Sequence, residues 1–298
     1  IYSNQPGAGV TTNLTGQITL NATSNVSNNW NDKTLQLSGK ITGVGGLDFV
    51  LYPGQIGGRY LITGATNDYA GATSVTGNAT GQWGWTGQAM LYLGATNALP
   101  TTTALTLNYA DLYLNGQAQT LTSISGSGSF SVQNGSTNAA TLTLGSGNTT
   151  STFSGTIKDN GISVLNTAAS PGTVTGTVAL TKIGTGTLTL SGNNTYTGAT
   201  TISAGTLEIG AAGRLGAGSY AGSISNNGTL IYSGTNAQTL SGVISGSGGL
   251  TKSNSGNLTL SANNTYTGTT TIFNGGADYS AGNQLRLSNA SGDRKSVV

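Results

Sequence analysis

The sequence of 298 residues contains no cysteine and no histidine. These two absences exclude a disulfide framework, a Ser-His-Asp or Cys-His catalytic arrangement and a zinc finger. Charged residues make up only 6% of the chain, whereas an ordinary soluble domain has about 25%. The formal net charge of +2 comes from scattered cations, so the sequence predicts no nucleic-acid partner and no anionic-lipid surface.

Long apolar runs are absent too, since no stretch reaches the roughly 18 residues that a transmembrane helix requires. The chain opens at Ile1 without a basic and apolar leader, so no signal peptide is visible. Strong helix formers such as Glu, Lys and Arg are rare, which disfavours a helical bundle. The sequence has 49 glycines and 50 threonines instead, a composition that favours β-strands joined by tight glycine turns.

Internal repeats are the strongest signal in the sequence. Residues 182–202 read KIGTGTLTLSGNNTYTGATTI and residues 252–272 read KSNSGNLTLSANNTYTGTTTI, so the two copies align without a gap. A weaker third copy, NDYAGATSV, occupies residues 67–75. A second motif precedes the copies as LSGKITGVGGL at 37–47, FSGTIKDNG at 153–161 and LSGVISGSGGL at 240–250.

The repeats alternate polar and apolar residues over short stretches, which predicts strands of about three to five residues with one apolar face. A single repeat of this kind cannot bury its apolar face, whereas stacked repeats can. The sequence therefore predicts an all-β fold, a β-solenoid in which the offset between the two clear copies makes three coils of about 23 residues. A series of β-sandwiches is the alternative, but it does not explain an ungapped repeat of such short strands.

Twelve residues define the two clear copies, and we predict structural roles for them. Each copy supplies two strand leucines, a corner Asn-x-Tyr-x-Gly and a closing isoleucine. The asparagines either form turns or stack as amide ladders between coils, and the tyrosines either seat the corner against the core or offer a ligand platform. The twelve are Leu188, Leu190, Asn194, Tyr196, Gly198, Ile202, Leu258, Leu260, Asn264, Tyr266, Gly268 and Ile272.

The string GTGTLTLSGNNTYTGATTISAGTLEIG at 184–210 closely resembles the autotransporter-associated β-strand repeat of bacterial surface proteins. Residues 257–272 match it clearly and residues 67–75 in part, and the LSGxIxGxGGL segments look like the coil that precedes this repeat. The resemblance implies a right-handed, single-stranded parallel β-helix passenger that is secreted or held at the bacterial cell surface. It also implies an adhesive or stalk role and a link between the repeat and folding during secretion.

The sequence departs from a complete family member in two places. It lacks the outer-membrane barrel, so contact with the outer membrane is expected only through an anchor region absent from this chain. Its last six residues, 293–298, hold three of the 18 charges and read like a translated sequencing adapter rather than an ordinary polar terminus. We therefore expect a truncated passenger fragment over residues 1–292, a less regular insert or cap near 78–100, and a non-native tail.

Catalysis is not expected, although parallel β-helices also host polysaccharide lyases and hydrolases that use clustered carboxylates. No carboxylate lies within four residues of another along the chain, and no cofactor or metal motif is present. The alternative to a scaffold is a glycan-active or glycan-binding β-helix, and Trp83, Trp85 and Tyr92 are the candidate ligand contacts, with a cap or local core as the other interpretation. Expected partners are other copies of the chain and host, glycan or abiotic surfaces.

The Thr-x-Thr pairs such as Thr187 and Thr189 also suggest an ice-binding face. We disfavour that function because the best copies recur only once per repeat unit, at the offset that separates residues 182–202 from 252–272. Solvent-facing strand threonines are the simpler interpretation.

Overall fold

The computed structural model describes residues 2–3, 12–28, 34–51, 57–78, 87–160, 174–273 and 284–287. Within these ranges the chain is all-β apart from one short 3-10 turn at Gly216–Gly218, and the strand pairs between successive turns are parallel. The chain divides into two compact units, with residues 1–142 and 158–177 in unit 1 and residues 143–157 and 178–298 in unit 2. The prediction of a parallel β-solenoid is confirmed for the residues that the structure describes.

Unit 1 contains a sheet in the order β1-β4-β7-β9-β11-β14, a sheet that runs β15-β12-β10-β8-β5-β2, and the pair β3-β6. Its strands are short because glycine and asparagine corners interrupt them every few residues. Their bounds are β1 Tyr2–Ser3, β2 Thr12–Leu14, β3 Ile18–Leu20, β4 Ser24–Asn28, β5 Thr34–Leu37, β6 Ile41–Gly43, β7 Leu47–Leu51, β8 Gly57–Ile62, β9 Thr73–Thr76, β10 Gln88–Leu93, β11 Ala104–Asn108, β12 Ala110–Tyr113, β13 Ala118–Leu121, β14 Ser123–Ser127 and β15 Ser131–Asn134. The unit boundaries fall inside β16 (Ala140–Leu144) and β18 (Thr156–Asn160).

Unit 2 has three parallel sheets that the chain visits in turn. We call β19-β21-β24-β27 the first face, β17-β20-β22-β25-β28-β30 the second face and β23-β26-β29-β31 the third face. The strands are β17 Ser151–Phe153, β19 Val178–Lys182, β20 Thr187–Leu190, β21 Thr200–Ile202, β22 Thr206–Ala211, β23 Ser219–Tyr220, β24 Ile224–Asn226, β25 Thr229–Gly234, β26 Gln238–Leu240, β27 Ile244–Ser245, β28 Gly249–Lys252, β29 Leu258–Leu260, β30 Thr270–Ile272 and β31 Leu285–Leu287.

The turns that separate the two clear copies in unit 2 are on average shorter than the sequence predicted. Leu188, Leu207, Leu230 and Leu250 lie opposite one another on neighbouring strands of the second face, and their numbers give the length of each turn. The chain therefore makes about three and one-third turns, rather than three, between one copy and the next. The average turn over this stretch is shorter than the expected length of about 23 residues, so that expectation is wrong. As a result the two copies lie on different faces: the LTL strand of the first copy is β20 on the second face, and that of the second copy is β29 on the third.

The turns of unit 1 are less even. Val26, Phe49, Val75 and Leu107 lie opposite one another on neighbouring strands, and the spacing widens from each pair to the next. The widest spacing, between Val75 and Leu107, includes the 78–100 region predicted to be less regular. The described residues contain no helix long and apolar enough to cross a membrane.

Candidate functional site

The strand leucines of both repeats point into the core, as their alternation predicts. Leu188, Leu190, Leu258 and Leu260 are at most 1% exposed. Ile202 is buried, whereas Ile272 is half-buried. The repeat therefore supplies the inward-facing row of its coil and leaves the intervening threonines facing outward.

Each corner asparagine joins neighbouring coils through backbone groups. The side-chain Oδ1 of Asn194 accepts a hydrogen bond from the backbone N–H of Ile157 at 2.9 Å, and its Nδ2 donates to the carbonyls of Gly192 and Arg214 at 2.9 and 3.1 Å. Asn264 accepts from the N–H of Ile244 at 2.8 Å in the same way. Neither a simple turn nor an amide ladder describes this arrangement, because the asparagine binds the isoleucine of the preceding LSGxI-type motif.

The weak third copy makes the same connection in unit 1. Asn67 accepts from the N–H of Ile41 at 2.7 Å and donates to the carbonyl of Ala98 at 2.7 Å. The two sequence motifs are therefore two halves of one contact between successive coils. That relation was not visible in the sequence, where the motifs are separated by a full coil or more.

The repeat tyrosines are core residues that form buried hydroxyl networks. The Tyr196 hydroxyl lies 2.8 Å from Thr200 Oγ1, which lies 2.7 Å from the Tyr220 hydroxyl of the next coil. Tyr266 and Thr270 repeat the first contact at 2.7 Å. Because Tyr196 and Tyr266 are at most 1% exposed, the structure supports the core-seating interpretation and leaves no ring face open as a ligand platform.

Close approach of the backbone explains the glycine of the same motif. A Cβ on Gly198 would lie 2.3 Å from the carbonyl oxygen of Val178, and one on Gly268 would lie 2.3 Å from that of Gly248. No side chain fits at such distances unless the coils separate. The glycine thus sets the spacing between coils rather than supplying a left-handed conformation.

Two lysines with no predicted role begin the repeats and prove to be internal. Lys182 and Lys252 are at most 1% exposed. The Lys182 ammonium donates to the carbonyls of Ile183 and Gly184 at 2.6 and 2.8 Å, and that of Lys252 donates to the carbonyls of Ser253 and Asn254, both at 2.6 Å. Burial lowers the pKa of both lysines, for Lys252 to about 8. The sequence contained one indication of a structural role for these lysines, which is that they occupy the same position in the two copies.

Outward hydroxyls follow the second face from strand to strand. Thr152, Thr189, Glu208, Ile231, Thr251 and Thr271 lie opposite one another in one row. Glu208 accepts hydrogen bonds from Thr189 Oγ1 at 3.1 Å and from Ser233 Oγ. Threonines thus lie opposite one another on neighbouring turns at both ends of the row, but Glu208 and Ile231 occupy the turns between them, so the Thr-x-Thr pair of residues 187 and 189 is not repeated on the next turns.

The surface of unit 2 carries even less charge than the composition implies. Its described residues include five charged side chains, Lys182, Glu208, Arg214, Lys252 and Arg286. Since the two lysines are internal, three charges remain at the surface of the described part. The outward face is accordingly dominated by neutral hydroxyl and amide groups.

The candidate aromatic contacts do not form an exposed platform in the described part of the chain. Tyr92 is fully buried and stacks on Tyr113 with a centroid distance of 4.4 Å, so the structure places it in a local core rather than at a ligand surface. Trp83 and Trp85 lie outside the described residues, as do residues 293–298 of the predicted tail.

The described carboxylates are dispersed. No three Asp or Glu residues of the described ranges come close enough together to hold a metal ion. Asp111 is 7% exposed, and burial raises its pKa while a hydrogen bond from Ser131 Oγ at 2.6 Å opposes that effect. Asp68 pairs with Lys40 at 2.7 Å on the surface, and this contact lowers the Asp68 pKa. The convergence of carboxylates that would favour a glycan-active enzyme is not present among these residues.

Comparison with known proteins agrees with the repeat analysis. The Passenger-associated-transport-repeat family matches residues 180–209 and 250–277, which cover both clear copies. The chain is also 32% identical to the adhesin BmaC autotransporter of Brucella suis biovar 1 (strain 1330) over 274 residues. That alignment covers 80% of this chain and 7% of the adhesin, so the chain spans a small part of its relative's length.

Proposed function

We propose that this chain, which is an autotransporter passenger repeat protein, acts as a structural stalk and adhesive scaffold of a secreted or surface-displayed bacterial protein. The resemblance recognised in the sequence is confirmed by the family match and by the adhesin relative. The described residues bring no three carboxylates together, and the proposal includes no catalytic step.

The observation that carries the proposal is the neutral, hydroxyl-rich outer surface on a continuous backbone ladder. Parallel strands in register hold each outward threonine on a rigid element, so little side-chain entropy is lost when it contacts another surface. Each such contact is weak, but a ladder offers many at once, and simultaneous contacts reinforce one another. Because few charges repel, a second copy of the chain, a host or glycan surface and an abiotic surface can all approach closely.

We test this role with beads that carry the full chain, by measuring bead clustering and retention on glass under flow. We expect wild-type beads to cluster and adhere at both low and high NaCl concentrations, because screening weakens contacts between charges and not contacts between hydroxyls. The double variant Thr152→Lys/Thr251→Lys adds two cations to the second face at positions that are not opposite Glu208, so its beads should cluster severalfold less at low salt and recover at high salt.

The matched control is Thr152→Ser/Thr251→Ser, which keeps the hydroxyls and should behave like the wild type. Unchanged clustering of the lysine variant at low salt, or loss of wild-type adhesion at high salt, would contradict the proposal. Beads carrying Trp83→Ala/Trp85→Ala test the aromatic contact predicted from the sequence, since that contact requires a drop in retention without loss of β-structure.

A further inference from the structure

Five asparagines of the chain are followed directly by glycine. Glycine has no side chain to shield its backbone nitrogen, and this nitrogen can attack the side-chain amide carbon of the asparagine before it. Three of the pairs lie within the described residues, at 115–116, 134–135 and 227–228, and the other two include residues outside those ranges. The same dipeptide therefore occurs in three known environments, and the contacts of each determine whether its asparagine can react.

Two of these pairs are held by contacts between coils. Asn134 is fully buried, and its Nδ2 donates to the carbonyls of Asn138 and Thr177 at 2.7 and 3.2 Å. Its Oδ1 accepts the N–H of Gly116 at 2.8 Å, and this N–H is the group that would have to lose its proton to attack Asn115. One hydrogen bond thus helps to fix the amide of Asn134 and occupies the nitrogen that follows Asn115.

The third asparagine, Asn227, is exposed at the corner between β24 and β25. Its Oδ1 accepts from the N–H and the Oγ of Ser247 at 3.2 and 3.5 Å, and distances at this long end of the range hold a side chain only weakly. Its Nδ2 and the N–H of Gly228 donate no hydrogen bond within the described part of the chain. The nitrogen that attacks and the nitrogen that leaves are therefore both free.

We propose that Asn227 is a site at which the folded chain deamidates spontaneously, with Gly228 supplying the attacking nitrogen. Hydroxide takes the proton of the Gly228 nitrogen, which bonds to Cγ of Asn227. The bond from Cγ to Nδ2 breaks, and Nδ2 takes a proton from water and leaves as ammonia. Water then opens the cyclic imide: cleavage between the Gly228 nitrogen and Cγ gives aspartate, and cleavage between that nitrogen and the main-chain carbonyl carbon of residue 227 gives isoaspartate. The inference goes beyond the adhesive role and does not depend on it.

Either product changes this corner. Both place a carboxylate on the nearly neutral surface of unit 2, and isoaspartate also lengthens the main chain between β24 and β25 by one carbon. The backbone on both sides is already fixed, since the N–H of Asn227 donates to the Ile202 carbonyl at 2.8 Å and that of Thr229 donates to the Gly205 carbonyl at 2.9 Å. Formation of isoaspartate should therefore weaken the contact of this corner with the preceding coil.

Incubation of the folded full chain in mildly alkaline buffer tests the site, followed by digestion at acidic pH and mass spectrometry of the peptides. We expect Asn227 to deamidate at least about tenfold faster than Asn115 and Asn134, because the two protected pairs react only after their corners open locally. In guanidinium chloride, which unfolds the chain, all three pairs are open and their rates should converge. A folded chain in which Asn227 reacts no faster than the other two would overturn the proposal. The same ratio of rates in the unfolded chain would also overturn it, since sequence rather than structure would then set the rates.

Two variants test the assignment and its consequence. Asn227→Gln keeps an amide but moves its carbon one methylene further from the Gly228 nitrogen, so the mass increase of this peptide should disappear. A mass increase that persists would place the reaction at another residue and refute the proposal. After equal incubation, the folding equilibrium constant from urea unfolding should fall severalfold in the wild type and stay unchanged in Asn227→Gln. Asn227→Asp adds the carboxylate without the extra main-chain carbon, so a freshly prepared sample with the constant of the incubated wild type would contradict the predicted effect of isoaspartate.

Discussion

Replacing Gly192 by alanine should lower the free energy of unfolding by about 3 kcal/mol, the upper part of the usual range for overpacking. A Cβ at this position would lie 2.0 Å from the carbonyl oxygen of Gly155. Gly242 repeats the arrangement, with 2.1 Å to the carbonyl oxygen of Gly222. Both obstacles are backbone atoms of the adjacent coil, so the clash cannot be relieved by moving a side chain, and the coils must separate.

Gly16→Ala is the matched control, because a Cβ there meets nothing within 4 Å. Urea unfolding followed by circular dichroism gives the free energy for each variant. We expect the control to stay within about 0.5 kcal/mol of the wild type. If Gly192→Ala and Gly242→Ala matched that control, contact between stacked backbones would not be what selects glycine at these corners.

The fold was predictable because its main determinants are local. Two-residue alternation around Leu188 and Leu190 predicts a strand with one buried face, and the glycines and asparagines that follow it predict a corner. The ungapped recurrence of the motif then requires stacking, since neither copy can bury its leucines alone. A solenoid satisfies these conditions together, and the structure has that architecture.

The number of turns between the copies was not predictable, because sequence identity does not fix the face on which a copy lies. The offset between the copies is not a whole number of turns. Thr189 of the first copy therefore faces outward on the second face, while its counterpart Thr259 lies on the third face. The outward row of the second face is assembled from different parts of successive coils, and this assembly determines which hydroxyls a partner meets together.

The lysines show a second limit of sequence reasoning. Charge normally places a residue at the surface, and nothing near Lys182 in the sequence suggests an internal partner. The partners are main-chain carbonyls, whose direction depends on the positive φ of Gly184. Backbone conformation at one corner residue thus supplies a partner for the buried charge, and the composition of the chain does not reveal that conformation.

Asn194→Ala should also destabilise the chain by about 2 kcal/mol, because it leaves the buried N–H of Ile157 without its acceptor and removes two further hydrogen bonds between corner groups. The side chain holds the N–H of Ile157 on one coil, the carbonyl of Gly192 in its own corner and the carbonyl of Arg214 on the following coil. Alanine cannot accept from the Ile157 N–H, whereas the carbonyls of Gly192 and Arg214 keep the backbone donors of Arg214 and of residue 194. The neighbouring Asn193 is exposed, so Asn193→Ala is the matched control. It makes the same asparagine-to-alanine change one position away.

Amide hydrogen exchange distinguishes this contact from a general loss of stability. In the wild type the Ile157 amide should be protected, since it donates to Asn194 Oδ1 at 2.9 Å. Asn194→Ala should expose it to exchange while distant amides of the second face, such as those of β25 and β28, keep their protection relative to the new global stability. Asn264→Ala should do the same at Ile244, which donates to Asn264 at 2.8 Å. Equal protection of Ile157 in Asn194→Ala and Asn193→Ala would mean that the coils are held together by their strand ladders alone and that the asparagine marks only a turn.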